Sequence, residues 1–272
     1  MPRAGPPADD PVALRSPRMC RFFAGVMRRQ MARSFRAVRL LRPGLPALPE
    51  GAPTVVYSNH PSWWDPAFHI VLTTTFLPRH TTFGPIDAEA LERYGFMKRI
   101  GLFGVEPGSR AGAARFLEVG RHVLADPART LWMTAQGTFA DPRAAVPIRA
   151  GLAHLMARVP GTVAVPLALE YPFWGEKRPE ALAAFGAPVA APPSKDVPRA
   201  VRTRNLQAAL QRGLDETMER LSAAARERDP AAFEPVLGGR RGVGGVYGAW
   251  KRVTARAAGR AHDPDHIMDH TT

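Results

Sequence analysis

Apolar and polar positions change period several times along the chain, and each change predicts a change of element. Residues 1–18 hold five prolines among small and charged residues, which predicts a disordered lead-in. Over 19–41 there is no proline. Phe23, Met27, Met31, Phe35 and Val38 recur on one helical face with Val26 and Leu41 beside them, while Arg21, Arg28, Arg29, Arg33, Arg36 and Arg39 take the other; the period predicts one basic amphipathic helix. Phe22 falls on the basic side. Residues 42–53, with four prolines and two glycines, read as a linker. The β-branched run over 53–57 predicts a buried strand ending at Ser58, and Asp65-Pro66 suits the start of a helix running through Phe76. A threonine-rich stretch to Phe83, a helical patch over 87–100 and a strand over 102–105 come next. They are followed by a helix from Ser109 or Arg110 to Leu124, then strands over 130–134 and 163–170. Proline-rich 190–198 marks a boundary. Residues 199–227 form a long helix whose stripe of Leu206, Leu210, Leu214, Met218 and Leu221 predicts a cover for a sheet. Glycine-rich 238–248 reads as a hinge and 247–260 as a short basic helix carrying Trp250. Strands alternating with helices predict an α/β fold, a mixed and largely parallel sheet flanked by helices, with an N-terminal amphipathic helix and a helical C-terminal extension. The expected division is 1–18, 19–42, a central domain over 43–195, an extension over 196–260 and a flexible tail over 261–272.

Charge changes this picture at the two ends. The 272 residues carry a net +13. Residues 1–42 hold ten arginines against Asp9 and Asp10, and residues 238–261 hold six cations and no acid, which leaves the middle near neutral. An anionic partner is expected. The helix over 19–41 suits an anionic membrane surface, with its apolar face among acyl chains and its arginines on lipid phosphates; packing on its own domain and a basic arm on nucleic acid are the alternatives. Nucleic acid is the weaker partner, because no recognition helix, RNA-binding sheet or zinc-finger pattern accompanies the charge. The single Cys20 excludes an internal disulfide and argues against a cysteine-held zinc. His262, His266 and His270 are interrupted by Pro264 and read as tail, so no metal is expected. With no apolar run of spanning length and no apolar leader at the N-terminus, the expected location is cytoplasmic, peripheral on the inner face of the membrane.

Candidate chemistry sits on the loop after the strand at 53–57. His60 there can act as a general base, and Asp65 can hold one imidazole N–H and stabilise the imidazolium. The spacing alone also fits a solvated histidine beside a helix-capping aspartate. Trp63 and Trp64 suit either an apolar acyl channel or ordinary packing.

Four blocks in order bring in a resemblance. Asn59-His60-x-Ser62-x-x-Asp65 resembles the Asn-His-x-Ser-x-x-Asp signature of the glycerolipid acyltransferases, which include 1-acylglycerol-3-phosphate acyltransferase. Gly101-Leu102-Phe103-Gly104-Val105-Glu106 resembles the second block, Gln136-Gly137-Thr138 the third, and Val165-Pro166-Leu167-Ala168 the fourth; Arg149-Ala150-Gly151 resembles the basic-x-Gly step between the last two. The resemblance covers about residues 50–190 and implies that His60 and Asp65 are catalytic. It implies acyl transfer from acyl-CoA or acyl carrier protein to the hydroxyl of a lipid acceptor, with no cofactor beyond the acyl donor and no covalent acyl-enzyme. Asn59, Ser62, Arg110, Gln136, Gly137, Thr138, Arg149 and Pro166 are the substrate-binding positions it implies.

The acceptor pocket departs from the family pattern. Gln136 stands where the third block has Glu, Phe139 where it has Arg, and Ala135 where it has Pro. The second block's Arg has no direct counterpart, Arg110 being nearest to it, and Arg143 is a further basic candidate. Gln136 carries no charge and Phe139 cannot bind phosphate. The acceptor is therefore expected among lysophospholipids or other membrane alcohols, and a catalytically inactive lipid-binding relative is the alternative.

Overall fold

The computed structural model describes residues 9–191 and 197–239. The expectations for residues 1–8, for most of the glycine-rich stretch, for the Trp250 helix and for the tail lie outside the described residues.

Nine strands form one sheet. In chain order they are β1 (Ala37–Leu41), β2 (Thr54–Ser58), β3 (Thr81–Asp87), β4 (Leu102–Val105), β5 (Arg129–Thr134), β6 (Val163–Glu170), β7 (Ala181–Phe185), β8 (Val189–Ala190) and β9 (Phe233–Gly238). Across the sheet the order is β4-β3-β5-β2-β6-β7-β1-β9, with the short β8 also beside β6. The five strands from β4 to β6 are mutually parallel. β7 turns antiparallel to β6, and β1 runs parallel to β7. The carboxyl ends of β4, β3, β5, β2 and β6 therefore share one edge, where open α/β sheets gather ligand-binding loops.

Helices cover both faces, so the central strand β2 is buried at all five positions and reads as an unbroken apolar run rather than an alternating one. One face carries α5 (Arg110–Leu124), α6 (Gly151–Met156) and α7 (Arg199–Glu227); the other carries α2 (Pro17–Ser34) and α3 (Asp65–Phe76). The two short helices α1 (Pro11–Leu14) and α4 (Ala88–Arg93) complete the set. Tyr57 points to the α7 side and donates its hydroxyl to the Leu210 carbonyl at 2.9 Å, while Val56 points to the α3 side, the pleat sending neighbours to opposite layers.

The largest departure from the sequence reading is at 19–41, where one helix is expected. The helix α2 starts earlier, capped by Ser16 with Pro17 in its first turn, and stops at Ser34. Residues Ala37–Leu41 enter the sheet as β1, between β7 and β9. A strand covered on both faces needs consecutive apolar residues, and Val38 and Leu41 satisfy that demand as well as a helical stripe. The one charge in β1, Arg39, meets Glu180 at 2.9 Å.

The exposed and buried faces of α2 also differ from a membrane-inserted helix. Met31 and Phe35 are buried against α3 and the sheet, and Phe23 stacks on Phe96 at 4.8 Å. Turning that face to lipid would uncover the α3 and sheet side chains that Met31 and Phe35 now cover. Arg18, Arg21, Arg29 and Arg33 point outward instead, on a helix without an acid.

Residues 9–16, expected to be disordered, are held by side chains. Asp10 caps α1 through the Val12 N–H at 2.9 Å and meets His122 at 3.3 Å, while the Ser16 N–H donates to the Arg99 carbonyl at 2.8 Å. The strands β3, β7, β8 and β9 and the helices α1 and α6 were not expected. Because β1 and β9 share the sheet and α7 covers it, the compositional boundaries at 42 and 196 do not divide the packed core.

Candidate active site

Three parallel strands deliver the site. β2 ends at Ser58, level with Thr134 of β5 and Leu167 of β6, so the loops after these strands meet at one edge. Asn59 and His60 lead directly out of β2, and the turn through Ser62 brings the chain back into α3 at Asp65.

Side chains hold this loop to both neighbouring strands. Asn59, buried, donates from Nδ2 to the Leu169 carbonyl at 2.9 Å and accepts from the Leu169 N–H at 2.8 Å. On the β5 side the His60 N–H donates to Gln136 Oε1 at 3.0 Å, and the His60 carbonyl accepts from the Ala140 N–H at 3.0 Å. The loop is thus tied across two strands.

His60 Nδ1 lies 2.6 Å from Asp65 Oδ2. The imidazole keeps 18% of its side-chain surface exposed, whereas the carboxylate is fully buried. A buried carboxylate needs its lone pairs occupied, and here they are: Oδ2 also accepts from the Ser62 N–H at 3.2 Å, and Oδ1 accepts from the Tyr171 hydroxyl at 2.7 Å. Burial, and then the Asp65 charge, pushes the Tyr171 phenol well above its ordinary range, so it remains a donor. With Nδ1–H directed at Asp65, Nε2 is the atom left for a proton from substrate.

Behind the loop lies a second, inert histidine. His69 is buried, which lowers its pKa to about 4 and keeps it neutral. The Ser58 hydroxyl donates to the Asn59 carbonyl at 2.8 Å, so His69 Nε2, 3.1 Å from Ser58 Oγ, is the donor in that pair.

The remaining expected residues separate into three groups. Asn59 and Ser62 frame the loop: both polar atoms of Asn59 are engaged with Leu169, while Ser62 gives its N–H to Asp65 and its Oγ to the Trp64 N–H at 3.2 Å. Gln136, buried, braces the His60 backbone, and Gly137 and Thr138 follow it on the exposed stretch after β5. Gly137 has φ +67°, and a Cβ there would lie 2.5 Å from Arg149 Nε, which places the Arg149 side chain over Gly137. The Arg149 N–H pairs with the Ala135 carbonyl at 2.9 Å.

Arg110 and Pro166 stand away from His60. Arg110 opens α5 after β4, three strand positions from β2 and hence about 14 Å across the sheet. Pro166 is opposite Tyr57 inside β6, with Cγ toward Gly186 and Gly213 of the α7 side; it packs the core. Arg143 is engaged with buried Glu170 at 2.5 Å, and the other Glu170 oxygen accepts from the Ser222 hydroxyl at 2.8 Å.

Two residues stand in the site without having been singled out for it. Tyr171 follows β6 directly, and its position just past the fourth block was the available signal. Phe139 lays its ring against the His60 imidazole, centroids 4.1 Å apart; its sequence signal was the missing Arg.

The fold places a braced histidine–aspartate pair at the carboxyl end of the central strand of a largely parallel sheet. The model of the Acyltransferase family matches residues 43–170. Residues 43–170 therefore form an acyltransferase domain of the glycerolipid acyltransferase type, which supports acyl transfer as the general function. The comparison with curated proteins gives no match. No helix among the described residues is long and apolar enough to cross a membrane.

Proposed function

We propose that the protein transfers a fatty acyl group from acyl-CoA or acyl carrier protein to the hydroxyl of a membrane-lipid acceptor, working as a peripheral enzyme on the cytoplasmic face of the membrane. The observation that carries this reading is the 2.6 Å contact of His60 Nδ1 with Asp65 Oδ2, on a loop within the matched domain. His60 Nε2 takes the acceptor's hydroxyl proton as the oxygen adds to the thioester carbonyl. The tetrahedral intermediate then collapses, the C–S bond breaks, and the imidazolium returns the proton to the leaving thiolate. Asp65 holds the imidazole in the required tautomer and stabilises its charged form.

Phe139 beside His60 gives the acceptor an apolar wall, and Arg149 over Gly137 is the nearby cation for a phosphate. That combination favours a lysophospholipid or related lipid alcohol as acceptor. The outward arginines of α2 support a place on anionic membrane.

Purified wild type and His60→Ala, given labelled acyl-CoA or acyl carrier protein with extracted membrane lipids, provide the test. An acylated lipid formed only by wild type supports the reading, and its mass names the acceptor. Wild type forming no product from either donor refutes it.

A further inference from the structure

The mouth of the site is ringed by side chains that folding leaves in water. The most exposed large apolar residues described are Trp63 at 73%, Phe22 and Phe139 at 63% and Phe173 at 62%, and all but Phe22, which lies toward the start of α2, stand near this site. Trp63, Phe139 and Phe173 each stand on a different loop at the carboxyl edge of the sheet, and each loop also carries a residue of, or in contact with, the His60–Asp65 pair. Phe139 packs on the His60 ring, centroids 4.1 Å apart and planes tilted by 30°. Trp63 lies inside the His60–Asp65 turn and packs edge-on against Trp64 at 5.8 Å. Phe173 is two residues beyond Tyr171, which hydrogen-bonds Asp65 at 2.7 Å.

Single exposed hydrophobics need no explanation, but three aromatics from three loops around one catalytic histidine do. The charge beside them is mainly basic. The loop carrying Phe173 also carries Lys177 and Arg178, and Arg178 donates to the Arg33 carbonyl at the end of α2; Arg29 and Arg33 face outward there. The acids on these loops are Glu176 beside Lys177, Glu180, which is paired with Arg39, and Asp141, which accepts from the Arg143 N–H at 2.8 Å.

We infer that Trp63, Phe139 and Phe173 are a membrane-docking rim, inserted at the headgroup level of an anionic bilayer so that the opening at His60 faces the lipid. Aromatic rings favour that depth and flanking cations favour lipid phosphates. The arrangement reverses the geometry expected from sequence, in which the apolar side of an N-terminal helix inserts. That side is occupied by α3 and Phe96, and the arginine side of α2 lies against headgroups while the site mouth makes the apolar contact. The inference rests on the reading of a lipid acceptor, and it accounts for how a chain-bearing alcohol reaches Nε2 without crossing water.

Docking is separable from catalysis by a binding measurement. The full chain is mixed with phosphatidylglycerol–phosphatidylcholine vesicles carrying brominated acyl chains, and tryptophan quenching and sedimentation are read for wild type, Trp63→Phe, Phe139→Ser/Phe173→Ser and Phe22→Ser. Wild type should bind and be quenched, and Trp63→Phe should lose most of the quenching while still sedimenting. Because Trp64, Trp132, Trp174 and Trp250 are present in both proteins, the difference reports Trp63. The double variant should bind on the order of a hundredfold more weakly, with its melting temperature kept because both rings are exposed. Phe22→Ser, at the far end of α2, should bind as wild type. Quenching unchanged in Trp63→Phe, undiminished binding of the double variant, or failure of wild type to bind would each overturn the rim. His60→Ala should dock normally, so a protein that docks but transfers no acyl group removes the proposed reaction and leaves the surface standing.

Discussion

Replacing Asp65 by Asn tests how the buried carboxylate works, because its neighbours dictate which way the new amide must turn. Three donors meet its two oxygens: His60 Nδ1 at 2.6 Å and the Ser62 N–H at 3.2 Å on Oδ2, and the Tyr171 hydroxyl at 2.7 Å on Oδ1. A backbone N–H cannot become an acceptor, whereas a phenol can rotate its hydrogen and accept. The amide oxygen therefore takes the Oδ2 place and the NH2 turns to Tyr171, which leaves His60 with its proton on Nδ1 as before. What is lost is the charge. A hydrogen bond to an ionised partner contributes about 1.5–3 kcal/mol and a neutral one about 0.5–1.5, so the imidazolium loses about 1–2 kcal/mol of support, or about 5- to 30-fold in rate. A substitution that reverses the tautomer in a triad costs about 10⁴-fold instead. Single-turnover acyl transfer by Asp65→Asn, with a nitrogen-15 spectrum of the labelled imidazole, separates the two. A loss near 10⁴-fold, or a proton found on Nε2 of the neutral ring, would refute the orientation argument.

Gly137→Ala should lower the free energy of unfolding by about 1–2 kcal/mol and displace Arg149, since φ is +67° and a Cβ would lie 2.5 Å from Arg149 Nε; a urea melt identical to wild type would contradict this. His69, at about 4 in the fold against an ordinary 6.5, refuses a proton that the unfolded chain accepts between those values. Stability is therefore full above about pH 6.5 and falls as pH drops toward 4, by about 3 kcal/mol at most. His69→Gln should flatten that slope in urea melts at pH 7, 5.5 and 4.5. Phe139→Arg should raise kcat/KM for an acceptor bearing a free phosphate relative to an uncharged alcohol, read by competition of the two acceptors in one reaction. An unchanged ratio would remove Phe139 from acceptor choice.

The elements legible in sequence were those whose pattern has one reading. The helix Arg199–Glu227 carries a leucine stripe on one face only, and the strands Leu102–Val105 and Val163–Glu170 are short apolar runs between turn residues. The strand Ala37–Leu41 was missed because an apolar run satisfies either a buried strand or the last turns of a helix, and only its pairing with β7 and β9 decides. Ala181–Phe185 is rich in alanine, which carries no strand preference, and one of its two neighbours is β1, more than 140 residues away. At the site the pair His60 and Asp65 was legible because its residues share one loop. Tyr171 was not, since its link to Asp65 spans 106 positions. Asn59 was visible as a motif letter, but its use in bracing Leu169 exists only once β2 and β6 lie side by side.

That bracing bears on exchange with solvent. The amides of His60 and Leu169 belong to segments at the end of the sheet, where fraying ordinarily lets deuterium in quickly. Each is instead closed by one side chain, Gln136 for His60 and Asn59 for Leu169. Their protection should therefore follow that of the central strands, so that the His60 loop opens only when the sheet around it does. Motion needed to admit a substrate then falls to the outer walls that carry Phe139 and Phe173, while the histidine stays as fixed as the core.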